Sequence, residues 1–330
     1  MNRKITLLYI SLACVLSLQA QTRQQMGGVY YAYPEGPSAK TGTFGTATYV
    51  ISDSLGVPQG FAPFYISHYG RHGSRWMPKD DRYVWICKHF EDESNLTPLG
   101  LQVKGMLQRV WENAKGNGGK LSKLGALQHQ GIAHRMFERY PQIFAAGNAV
   151  KARSSVVDRC AKSMLAFTSE LHTLQPGLNL DVKTDSADMA WIAYVSPEVK
   201  ALENRTHVQA QVSPRRFLLQ LFKDASKVDE PLKLMTEMHT VASSIQDVGL
   251  DFSSYPQDIE DGLNALFTDD EFRAIYDANN LRMTINNGTV ATNEDIPARS
   301  AISLWQNIEA EADRALRSVK SSATLRFGHD

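Results

Sequence analysis

An α/β fold, with a mainly parallel sheet flanked by helices and a mostly helical cap, is what the sequence predicts, and three observations predict it. Short β-type runs alternate with amphipathic helices. Cationic or ionisable residues stand at the ends of three of those runs. A long stretch from about residue 185 to 290 carries mostly helical patterning, with breaks at Pro214, Pro231 and Pro256. The chain has 330 residues, 43% hydrophobic and 21% charged, enough for one large globular domain or a core with a cap. Its 35 basic and 35 acidic residues cancel, so no overall field draws it to nucleic acid or an anionic membrane. Any anion site has to be local.

The first twenty residues read as a leader. Arg3 and Lys4 precede the apolar run from Ile5 to Leu18, and Ala20 offers a small residue for cleavage before Gln21. The expectation is an exported protein, periplasmic or secreted; Ser11 is a poor start for a lipoprotein motif at Cys14. No other stretch approaches the ~20 apolar residues of a membrane span, so no stable membrane insertion is expected after cleavage. Cys87 and Cys160 then remain, free to pair in an oxidising compartment. Their spacing suits no zinc site.

Phe64 to Tyr69 is a β-type run bracketed by Pro63 and Gly70. The loop after it, within "ISHYGRHGSRW", gathers Arg71, His72 and Arg75. Next, "LTPLGLQVKGMLQRVWENAKGNGG" predicts a helix with Thr97 at its cap, Pro98 in the first turn, and Leu99, Val103, Leu107, Val110 and Trp111 on one face. A second helix follows, with Leu124, Leu127, Ile132 and Met136 in helical spacing until Pro141. "AVKARSSVVDRCAKSMLAFTSELHTL" predicts a strand through Ala152 and a helix capped by Ser154 or Ser155, with Arg153 at the junction. A last amphipathic helix puts Ile302, Trp305, Ile308, Ala312 and Leu316 on a core face, and "ATLRFGHD" ends as a strand with His329 and Asp330. The organisation expected is a leader at 1–20, a core from 21–184 and 291–330, and a cap at 185–290 with a further contribution near 78–120.

In open α/β sheets ligands bind outside the carboxyl ends of the strands. The Arg71–Arg75 loop, Arg153, and His329 with Asp330 should therefore converge. Several arginines, two histidines and one carboxylate suit a phosphate dianion, because guanidinium forks match phosphate oxygens and a helix start adds backbone donors. Blander readings stand beside this one: a solvated basic loop for the cluster, and an ordinary salt bridge for Arg153. His68, His129 and His134 are read as structural.

Four motifs in order carry a resemblance to a known family. "YGRHGSR", "LSKLGALQHQGIAHRMFERYP", "RSSVVDRCAKS" and "LRFGHD" resemble the signatures of the histidine acid phosphatases, and the overall look of "YISHYGRHGSR" is most similar to bacterial multiple inositol polyphosphate phosphatase-like members. The resemblance implies a phosphomonoesterase acting on phosphorylated small molecules without metal or other cofactor. His72 would be the nucleophile that becomes phosphohistidine. Arg71, Arg75, Arg153 and His329 would hold the phosphoryl group, and Asp330 would protonate the leaving alcohol. A basic cap including Lys79, Arg82, Arg215 and Arg216 would favour inositol polyphosphates, with a general acid phosphatase as the alternative. Family members continue past the HD motif. The further expectation is therefore that part of the core is missing, leaving a poorly soluble, weakly active or inactive phosphate-binding remnant.

Overall fold

In a computed structural model the described residues are 22–31, 33, 41–44, 47–50, 59–254, 256–318 and 320–329. The leader at 1–20, with Cys14, and the acid assigned to Asp330 lie outside them. Strands β1 (Thr41–Phe44) and β2 (Ala47–Val50) pair antiparallel as a two-stranded sheet. The main sheet is all parallel: β3 (Tyr65–Arg71), β4 (Ala149–Ser154), β5 (Asn179–Thr184) and β6 (Ser322–Gly328), in the order β3-β6-β4-β5. The last strand thus lies between the first and second strands of this sheet. Its register sets Gly328 level with Arg71 and Phe327 level with Ser154, so three strand ends open at one edge.

The helices are α1 (Asp80–Lys88), α2 (Pro98–Ala114), α3 (Lys123–Arg139), α4 (Asp158–Leu174), α5 (Met189–Ile192) and α6 (Pro197–Arg205). They continue as α7 (Arg215–Leu221), α8 (Pro231–Val248), α9 (Gln257–Asn264), α10 (Asp269–Asn287), α11 (Ile296–Ser300) and α12 (Ile302–Leu316). Thr97 caps α2 by accepting from the Gly100 N–H, with Pro98 in the first turn as the sequence predicts.

Strand alternation divides the residues into two faces. Val150, Ala152, Leu325 and Phe327 pack with Ala133 of α3 and Phe167 and Leu171 of α4 in one apolar core; each such buried Leu or Phe contributes about 1.5–3 kcal/mol. The other face is polar and covered by α12. Arg326, fully buried, donates to Asn307 Oδ1 and Ser67 Oγ, and Lys151 pairs with Glu311 at 2.5 Å. This corrects the reading of the last helix. Trp305 is 60% exposed because α12 meets the sheet through Asn307, Glu311 and Ala315, not through its Ile302–Trp305–Leu316 stripe.

A second apolar core gathers Ile86 of α1, Val103 and Leu107 of α2, Phe217 of α7, and Met238 and Ile245 of α8, closed by Leu263 of α9 and Phe272 of α10. Cys87 packs against this helical core, whereas Cys160 lies at the sheet's end; both are free thiols, so the pair open to them in the sequence does not form. Among the described residues no helix is long and apolar enough to cross a membrane.

Candidate active site

The chain leaves β3 at Arg71 and turns through His72, Gly73 and Ser74 to Arg75. The His72 N–H donates to the Gly328 carbonyl at 3.1 Å, which joins the loop to the end of β6. Two glycines let α3 press on this loop. A Cβ on Gly73 would stand 2.3 Å from the Gly125 carbonyl oxygen, and one on Gly125 would stand 2.2 Å from that of Ser74. Only hydrogen fits at either position. Ser122 caps α3 by accepting from the Gly125 N–H, and its Oγ donates to Ser74 O. The Gly73 N–H donates to Ser163 Oγ of α4 at 3.0 Å, which fixes the loop from a second helix.

His72 is 7% exposed, and its Nδ1 lies 2.8 Å from the Gly73 carbonyl. A carbonyl only accepts, so Nδ1 carries the proton and Nε2 keeps its lone pair. Its pKa is lowered to about 3, first by burial and then by the charges of Arg71, Arg159 and Arg75, against the Gly73 hydrogen bond. Burial is the largest cause, and like charge from the arginines adds to it. The imidazole is therefore neutral at ordinary pH.

His329 comes to His72 from the end of β6, with ring centroids 5.7 Å apart and planes at 70°. Its Nε2 lies 3.0 Å from Ser155 Oγ and its Nδ1 3.4 Å from Arg159 Nη2. The Tyr69 hydroxyl lies 3.1 Å from both the Ile192 and His329 carbonyls and accepts from the His329 N–H, fixing the strand end. Cys160 donates its thiol proton to Gly328 O at 3.2 Å, and burial raises its pKa. It is an uncharged neighbour of His329.

Arg153 is not brought to the loop. On β4 the residues Val150 and Ala152 face the apolar core, so alternation sends Lys151 and Arg153 to the opposite face. There Arg153 donates to the Asp181 carbonyl at 2.8 Å and to its carboxylate at 2.5 Å, with Asp188 at 3.7 Å. The arginine that approaches His72 and His329 is Arg159, in the first turn of α4. The strand runs to Ser154 and the helix starts only at Asp158, so its N-cap position falls on Val157, which has no side-chain acceptor, and not on Ser154 or Ser155 as the sequence predicts. Ser155 Oγ lies against His329 instead. The quoted segment holds both arginines, and the Asp-Arg pair opening the helix is the signal that would have picked the second.

The loop borders a cavity of about 300 Å³, lined by Arg71, His72 and Arg75 on one side and by Tyr30, Tyr31 and Tyr33 on another. Arg71 Nη1 donates to the Val29 carbonyl at 3.3 Å, and the Arg75 guanidinium lies 5.7 Å from the Tyr30 ring centroid. Behind the loop, His68 and His129 line the same cavity; burial lowers both pKa values to about 4, and His129 Nε2 lies 3.1 Å from Arg71 O. The sequence reads both as structural; the structure sets both against the cavity.

Asp247, at the end of α8, is a site residue that sequence reasoning missed. It is 3% exposed, lines the cavity, and accepts from Ser74 Oγ at 2.5 Å. Burial pushes its pKa up to about 7, against the pull of Ser74, Arg71 and Arg75. Nothing in "SIQDVG" marks it, since only the packing of α8 on the loop gives it a role. The basic cap is also altered. Arg82 pairs with Glu237 at 2.6 Å and Arg216 pairs with Glu271, and none of Lys79, Arg82, Arg215 and Arg216 lines this cavity.

Comparison with solved structures finds the same fold in proteins of low sequence identity. The multiple inositol polyphosphate phosphatase of Bifidobacterium longum, in complex with inositol hexasulfate, superposes with a TM-score of 0.63 at 15% identity over 92% of this chain and 79% of its own. Its apo form gives 0.64 at 16% identity, over 92% and 77% of the two chains. The phytase from D. castellii gives 0.60 at 13% identity, over 93% and 65%. No protein-family model matches the sequence, and no curated protein matches it.

Proposed function

We propose that the chain is a phosphomonoesterase that works through a phosphohistidine on His72. The observation that carries this reading is a buried, neutral imidazole whose Nε2 lone pair stands among the guanidiniums of Arg71, Arg75 and Arg159. In the first step Nε2 attacks phosphorus and the ester oxygen departs, taking a proton from Asp330. In the second, water attacks the phosphohistidine, returns a proton to Asp330 and releases phosphate. The arginines and His329 oppose the charge that spreads over the equatorial oxygens. Nucleophile, counter-charge and acid are all side chains, and no cofactor enters this scheme.

Inositol polyphosphates are the first substrate class in this reading, supported by neighbours whose own names record inositol polyphosphate phosphatase and phytase. A general acid phosphatase is the second reading. The ion pairs that hold Arg82 and Arg216 favour it, since they remove two cations from a polyanion site. Release of inorganic phosphate from phytate, nitrophenyl phosphate and a sugar phosphate, with His72→Ala as the control, tests both. Turnover that survives in His72→Ala contradicts the mechanism; a preference for small monoesters over phytate selects the second reading.

A further inference from the structure

The cavity beside His72 has a wall that the phosphoryl chemistry does not use. It comes from the segment before the sheet, the short turn of helix Gln25–Tyr30 and the residues after it. This segment is fastened at several points. Arg23 donates to Phe267 O at 2.9 Å and to Asp269 Oδ1 at 2.8 Å, and Gln246 Nε2 donates to Gln24 O at 3.2 Å. Gln128 Nε2, which also bonds Ser74 Oγ, donates to Tyr33 O at 3.2 Å. Held between α8, α10 and α3, the strap sets Tyr30, Tyr31 and Tyr33 against the cavity. Tyr30 lies beside the Arg75 guanidinium, and Tyr33 beside that of Arg135 at 5.7 Å.

A phosphoryl group needs donors and cations, which the loop supplies. The phenol hydroxyls can add donors to that task, but the flat faces of three rings are not needed for it. They suit the part of a substrate that is not transferred, because a flat aromatic face stacks on another ring or on the C–H face of a saturated one. At about 300 Å³ the cavity is at the small end of ligand sites, with room for a single ring and the phosphate it carries.

We infer that Tyr30, Tyr31 and Tyr33 form a leaving-group subsite that selects phosphomonoesters borne on a ring, aromatic or cyclitol, over open-chain ones. The inference rests on the phosphomonoesterase reading of the loop, and it assigns specificity to a strap that meets the catalytic loop at Arg71 and Arg75.

Binding of non-hydrolysable phosphonates by calorimetry tests it without relying on turnover. The probes are methylphosphonate, phenylphosphonate and cyclohexylphosphonate. Wild type should bind the two ring compounds about tenfold tighter than the methyl compound, the gain expected of one good ring contact. Tyr30 is buried and its removal risks the fold, so the variants are Tyr33→Ala, at a position 40% exposed, and Tyr33→Phe. The alanine variant should lose most of the ring preference while its methylphosphonate affinity stays within about twofold, and the phenylalanine variant should retain the preference. Tighter phenyl than cyclohexyl binding supports an aromatic leaving group, and the reverse supports a cyclitol. Equal affinity for all three probes in wild type, or a ring preference unchanged in Tyr33→Ala, overturns the subsite while leaving the loop reading intact. Binding with ring preference but without hydrolysis of any monoester keeps the subsite and removes the enzyme reading. No binding of any phosphonate removes both.

Discussion

Replacing Asp247 with asparagine should stabilise the protein at neutral and higher pH, and leave it nearly unchanged in acid. The carboxyl is 3% exposed and its pKa is pushed up to about 7 by burial. The unfolded chain releases that proton near pH 4, whereas the folded protein holds it until about pH 7. Over this interval the unfolded state binds fewer protons, so stability falls as pH rises, by about 1.4 kcal/mol per pH unit and about 4 kcal/mol in all. Below pH 4 both states are protonated and nothing is lost. The amide of Asp247→Asn would keep an oxygen to accept from Ser74 Oγ and has no proton to release. Urea unfolding of both proteins at pH 4.5, 6 and 8 should give near-equal stabilities at the lowest pH and a gain for Asp247→Asn at the highest. A variant less stable than wild type at pH 8, or curves that stay parallel, would show that Asp247 is ionised in the fold, held by Arg71 and Arg75.

The two arginines of the "RSSVVDR" segment should separate cleanly. Arg159→Ala should lower kcat/KM by about 10²- to 10³-fold, the scale of losing one preorganised donor to the transition state, whereas Arg153→Ala should change melting temperature but leave kcat/KM within about threefold, because its partners are Asp181 and Asp188. Gly125→Ala should be destabilising by about 1–3 kcal/mol, as a Cβ there meets the Ser74 carbonyl at 2.2 Å; thermal unfolding checks it. Because His72 titrates at about 3, the acid limb of kcat/KM should not set in until well below pH 5, and a limb near 6.5 would mean that the ring is neither buried nor beside its arginines.

What the sequence made legible is what local chemistry and strand order dictate. The strand before the His72–Arg75 turn was readable, although β3 runs through Gly70 to Arg71 and not only to Tyr69, and the parallel register then carries His329 to the side of that turn. The Thr97–Pro98 helix start is likewise local and was readable as such. Failures came where a residue's face depends on a neighbour distant in the chain. Arg153 and Arg159 differ by six positions, and only the length of β4 and the late start of α4 decide which one meets His72. Trp305 sits on the apolar stripe of its helix, yet the sheet face it was expected to cover is filled by Arg326 and Lys151, which draw Asn307 and Glu311 inward instead. Asp247 and the tyrosine strap have no pattern at all in one dimension. Their meaning comes from packing against the loop.

The central claim is a covalent bond between phosphorus and His72. Rapid-quench mixing of the protein with a radiolabelled phosphomonoester, followed by acid and alkaline treatment of the trapped protein, tests it directly. The account predicts a label that is acid-labile and base-stable, present in wild type, retained in Arg153→Ala and absent from His72→Ala. Labelled protein recovered from His72→Ala, or phosphate release from wild type with no labelled protein at any quench time, would contradict it.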